Sequence, residues 1–144
     1  MDEISKDKRE VSAYIPYRKK GDTYEYFLQK RTLDAPTHPG LLGMFGGGIE
    51  EGEHFERAFF REVSEELDHV PANSEYWSRF ESNNRIFHLY IEEVVADFEQ
   101  VITVNEGEYG VFVKAGDVVF STEATDTVRY AIGRLDAYLS KKTD

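Results

Sequence analysis

"MFGGGIEEGEHFERAFFREVSEELDHV", residues 44–70, is the stretch on which the fold turns. Gly46, Gly47 and Gly48 let a backbone bend and approach a ligand closely. From residue 53 to residue 67 the spacing predicts a helix, with Phe59, Phe60, Val63 and Leu67 on one apolar stripe. With Glu62 set at zero on a helical wheel, Glu65 falls roughly 60° to one side and Glu66 roughly 40° to the other. The three carboxylates therefore lie beside the apolar stripe, at the rim of a core. Like charges that close repel one another. A hard divalent cation turns that repulsion into binding, because Mg²⁺ takes carboxylate oxygens, waters and substrate phosphates. Glu53 lies two helical turns before Arg61, near enough for a planar bidentate bridge.

The rest of the chain bounds the reading. Its 144 residues suit one domain, 1–144, with residues 1–9 as a loose arm. A hydrophobic fraction of 40% supports a packed core, and the absence of cysteine excludes disulfides, zinc-thiolate sites and thiol nucleophiles. A net charge of −11 repels a nucleic-acid polymer and also a free polyphosphate, unless a metal reverses the local sign. There is no transmembrane stretch, and MDEISKDKRE lacks the apolar run of a secretory signal. The expected setting is the cytoplasm, with no membrane partner.

Alternation over Val11 to Tyr17 predicts a strand. Lys19 to Asp22 reads as a turn into a second strand, Tyr24 to Arg31, giving a hairpin. Leu33 to Gly43 reads as a long loop, Arg85 to Val94 and Gly110 to Val113 as strands. Thr122 to Leu139 reads as a closing helix with Val128, Ile132, Leu135 and Leu139 buried. The fold class is α/β, a mixed sheet packed between helices.

Residues Gly47 to His69 resemble the Nudix box, G-x5-E-x7-R-E-U-x-E-E-x-G-U, where U is a bulky aliphatic residue. Gly47, Glu53, Arg61, Glu62, Val63, Glu65 and Glu66 stand at its fixed positions. Asp68 replaces its last glycine and His69 its last aliphatic residue, which predicts a changed helix exit. The resemblance implies an α/β/α sandwich and a MutT-like hydrolase that cleaves a nucleoside diphosphate linked to another moiety, with Mg²⁺ or Mn²⁺. It implies metal ligation by Glu62, Glu65, Glu66 and the Gly46 carbonyl, supported by Gly47, Glu53 and Arg61. A later-loop carboxylate, Glu106 or Glu108, joins the catalytic set as ligand or general base; the sequence does not choose between them. Arg31, Phe45 and Phe87 are the candidate substrate-binding residues.

Features associated with particular substrates are mostly missing; for instance, Pro36 stands where the coenzyme A pattern has arginine. A nucleoside triphosphate or nucleotide-sugar is the least excluded substrate, and a homodimer is left open. The alternatives are a non-catalytic nucleotide-binding module on the same fold and a structural acidic domain.

Overall fold

The structure is a computed structural model, and residues 8–142 are described. Its centre is β1 (Arg9–Lys20), in which Ser12 to Tyr17 are all buried. β1 hairpins into β2 (Thr23–Lys30) through Gly21-Asp22, as expected, with Gly21 at φ +64°. On the same edge β1 pairs first with β4 (Phe45–Gly48) and then with β2. Pro16 falls between these two ladders, where its missing N–H leaves neither one short. The other edge of β1 runs parallel to β6 (Arg85–Glu93), which pairs antiparallel with β5 (Glu75–Ser82). β3 (Leu42–Gly43) and β7 (Tyr109–Lys114) flank β2, completing a seven-stranded mixed sheet.

Helices cover both faces. On one, α1 (Phe55–Leu67) packs Phe59, Val63 and Leu67 against Tyr14, Phe27, Phe45 and Tyr90. Burying each of those three side chains contributes roughly 1.5–3 kcal/mol. On the other, α4 (Asp126–Lys142) packs Val128, Ile132, Leu135 and Leu139 against Ala13, Ile15, Tyr26, Leu28, Leu89 and Ile91. Two one-turn helices, α2 (Phe98–Val101) and α3 (Ala115–Val118), each seat one apolar residue, Phe98 and Val118.

Several expectations change. Phe60 sits off the α1 stripe, 39% exposed, and Ala58 takes the buried place. The helix starts at Phe55 because His54 caps it, its Nδ1 accepting from the Glu56 amide. The closing helix starts at Asp126 because the Thr125 hydroxyl accepts from the Val128 amide. The glycine run is a strand, not a free turn. Asp68 adopts the left-handed exit (φ 50°, ψ 44°) and its amide donates to the Ser64 carbonyl, so the helix ends as glycine would end it. The expected arm also shortens, because Arg9 opens β1; residues 1–7 lie outside the described residues.

Candidate active site

The site is assembled where β4 meets α1. A Cβ on Gly46 would lie 2.1 Å from the Ser12 carbonyl oxygen, and one on Gly47 2.6 Å from the Glu62 carboxyl. Only glycine lets the strand lie this close to both β1 and the acidic helix. The Gly46 amide donates to Glu66 Oε1 at 2.9 Å.

Arg61 organises the near end. Its Nε and Nη2 form the expected bidentate bridge to Glu53, at 2.8 and 2.9 Å, and Nη2 also donates to the Gly48 carbonyl. Nη1 donates to Glu62 at 3.0 Å and lies 3.6 Å from Glu65. Glu53 in turn accepts from the Glu50 amide. The Arg61 guanidinium first, then that amide, hold the Glu53 carboxyl down at about 2. One guanidinium thus ties the strand, the loop before the helix and the helix itself.

The three carboxylates of α1 have different surroundings. Glu65 is the most exposed, Glu62 is half-covered and engaged by Arg61, and Glu66 is buried. Burial pushes the Glu66 carboxyl well above the usual range. The Gly46 amide opposes this, and the nearby Glu106 and Glu62 carboxylates reinforce it.

Glu106 reaches Glu66 because its loop is docked on the end of α1. The Thr103 amide donates to the Leu67 carbonyl, the Asn105 amide to that of Glu66, and Asn105 Nδ2 to that of Glu65. These are helix-end carbonyls without partners inside the helix. Gly107 follows at φ +84°, where a Cβ would strike Gln29 and the Lys30 carbonyl. Glu108 instead donates its amide to the Lys30 carbonyl, and no contact of its side chain with the acidic cluster is found among the described residues. Asn105 was missed by sequence reasoning; its place just before an acidic Glu-Gly pair is the only signal the sequence offers.

Beside β4 opens a cavity of about 280 Å³. Arg31 and Phe87 line it. Arg31 donates to the Thr37 carbonyl and hydroxyl, and Phe87 stacks on Phe80. Phe45 borders it from within the core. Its ring is fully buried and stacked on Phe27, so the ring has no free face for a ligand.

The histidine in the box's last position is half-buried in a separate network. His69 Nε2 lies 3.2 Å from Glu92, which also accepts from the Tyr14 hydroxyl and the Asn73 amide. Burial raises the Glu92 carboxyl, but these partners outweigh it and hold it below the ordinary range. His69 also meets Phe98 edge-on, filling the place of an aliphatic residue.

Among the described residues no three acidic or histidine side chains already form a metal cage. Glu62 and Glu65 face Arg61, while Glu66 faces the Gly46 amide and Glu106. The donor set is nonetheless all oxygen, as a hard divalent ion requires, and a cation would offset the burial and, after it, the neighbouring carboxylates that disfavour the charged form of Glu66.

A family model, "NUDIX domain", matches residues 6–129. The chain belongs to the Nudix family. It is a Nudix-type pyrophosphohydrolase by that membership. No curated protein matches it in sequence. Among solved structures, a MutT/Nudix family protein from Listeria innocua superposes with a TM-score of 0.75 at 15% identity, covering 94% of this chain and 96% of that one. A MutT protein from Methanosarcina mazei gives 0.67 at 21%, over 92% and 96%. An Ap4A hydrolase from C. elegans, solved as a binary complex, gives 0.66 at 15%, over 92% and 98%. These likenesses agree on the Nudix fold. No helix of the described residues is long and apolar enough to cross a membrane.

Proposed function

We propose that this Nudix protein is a divalent-metal-dependent hydrolase of a small nucleotide derivative, cleaving the anhydride of a diphosphate by water attack on phosphorus. The observation that carries the reading is the burial of Glu66 against the Gly46 amide, with Glu62 and Glu106 crowding it. Such crowding is unfavourable in an empty structural helix and useful around a cation.

Glu62 and Glu66 would hold the ion, with Glu65 at the rim and the Gly46 carbonyl as an added oxygen. Mg²⁺ or Mn²⁺, when bound, supplies positive charge against the diphosphate oxygens. Gly47 keeps the strand flush with Glu62, and Glu53 keeps Arg61 in place. Glu106 is the residue we assign to accept the proton of the attacking water, because its loop is fixed on α1; Glu108 is not so placed. As water adds to phosphorus the bridging P–O bond breaks, and the second phosphate leaves with the bridging oxygen. A nucleoside triphosphate or a nucleotide-sugar is the substrate class retained from the sequence.

Product release from canonical and oxidised nucleoside triphosphates, ADP-ribose, nucleotide-sugars, dinucleoside polyphosphates and coenzyme A tests the reading. With Mg²⁺ or Mn²⁺ present, one class turns over well above the rest. Glu62→Gln lowers its kcat by about 10²-fold or more while the protein stays folded. Absence of turnover on the whole panel, with metal bound and the fold intact, would replace the enzyme with a nucleotide-binding module.

A further inference from the structure

The cavity beside β4 has a charge of the wrong sign for this molecule. The chain carries a net charge of −11 and 28 acidic residues, yet Arg9, Arg31 and Arg85 line the cavity and, among the described residues, no aspartate or glutamate does. Arg9 and Arg85 are register partners on the parallel strands β1 and β6, and both line the cavity. Among the described residues neither has an ion-pair partner. Among the described residues the Arg31 side chain bonds to uncharged acceptors, on Thr37 and Gln29. Like charges opposite one another on neighbouring strands are destabilising unless something neutralises them.

Two further features add to the positive field. The cavity is lined by Thr125 and Thr127, at the N-terminal end of the 17-residue helix α4, which carries partial positive charge. Gly48 leaves room for Arg9, whose Nη2 would lie 2.5 Å from a Cβ there. Strand β4 is therefore a shared wall. Gly47 abuts the Glu62 carboxylate on the α1 side, and Gly48 abuts the Arg9 guanidinium on the cavity side.

We propose that Arg9 and Arg85, with Arg31 at the rim, form a second anion subsite that holds a phosphomonoester carried by the substrate apart from the diphosphate to be cleaved. The inference rests on the hydrolase reading and changes its substrate class: a nucleotide with an additional phosphate on its ribose, in place of an ordinary nucleoside triphosphate or nucleotide-sugar. Guanidinium groups present paired donors that match phosphate oxygens. The divalent ion and the arginine pair then bind two different phosphates, one on each side of the glycine strand.

The test separates the subsite from catalysis by omitting the metal. Binding of adenosine 3′,5′-bisphosphate, adenosine 2′,5′-bisphosphate and AMP is measured by calorimetry in EDTA at low salt. The wild-type protein binds at least one bisphosphate about tenfold or more tighter than AMP, and the preference shrinks as salt is raised. Arg9→Ala/Arg85→Ala brings the ratio to near one; should that protein fail to fold, Arg9→Gln and Arg85→Gln singly each reduce it. Equal binding of all three nucleotides, no binding of any, or a preference that survives loss of both arginines would overturn the proposal. A lost preference with turnover intact removes only the subsite. An intact preference with no turnover on any substrate removes only the hydrolase reading.

Discussion

Glu66 is neutral in the folded metal-free protein over a pH range where an ordinary glutamate is ionised, since burial raises its pKa. The folded state then binds a proton that the unfolded chain has released. Its contribution to stability therefore falls as pH climbs above the ordinary glutamate value, until the raised pKa is passed. Thermal melts in chelator should show this slope, and Glu66→Gln should flatten it and raise the melting temperature at alkaline pH by roughly 3 °C or more. Glu53 has the opposite sign. Arg61 depresses its pKa to about 2, so its contribution is present above the unfolded value and is lost as pH falls through about 2. Glu53→Gln should lower stability near neutrality, where that contribution is complete, and flatten the loss of stability as pH falls toward about 2, read from denaturant midpoints across pH. At this scale Glu53, Arg61, Glu62 and Glu66 were legible because their spacing alone brings them together on one helix and its lead-in. Glu106 was not separable from Glu108, because the choice depends on hydrogen bonds from a distant loop to the end of α1. The arginine cavity was illegible for a similar reason: Arg9 and Arg85 meet only once β1 and β6 are paired.

The elements with strong periodicity, α1, α4, β1 and β6, could be read within a few residues of their ends. β4 could not, because three successive glycines carry no strand propensity, and its pairing with β1 is imposed by tertiary approach. α2 and α3 are single turns with no period to detect. The α1 exit tests the physics of its cap directly. Asp68 occupies the left-handed region, where a Cβ is disfavoured by about 1–2 kcal/mol. Asp68→Gly should stabilise the protein by about 1 kcal/mol, read from the denaturant midpoint, and leave turnover unchanged. Asn105→Ala acts on the same end of the helix with the reverse result. It removes the bond to the Glu65 carbonyl, lowers stability by about 1 kcal/mol and, by loosening Glu106, lowers kcat about tenfold.

Across the whole molecule, the two cores divide the labour. The α4 face contributes no carboxylate to the acidic cluster, so Ile132→Ala should destabilise by about 2–5 kcal/mol while sparing kcat at temperatures where the variant is folded. On the proposed hydrolase reading, the α1 face couples stability to the ion. At a Mg²⁺ or Mn²⁺ concentration 100 times its dissociation constant, unfolding should be harder by about 2.7 kcal/mol, and Glu62→Gln should lose most of that gain. The sandwich itself was visible from the alternation of strand and helix patterns, whereas the seating of the cavity at the edge of β4 required the assembled sheet.

Arg61 touches Glu53 and Glu62 and stands within 4 Å of Glu50 and Glu65. It therefore serves as a resident counterion, covalently part of the chain and impossible to lose by dilution. On the proposed metal-dependent reading, a newly made molecule completes its acidic helix with this understudy in place and takes its inorganic ion later. On that reading the ion adds stability to a fold that already stands, so its scarcity would lower activity without unravelling the protein.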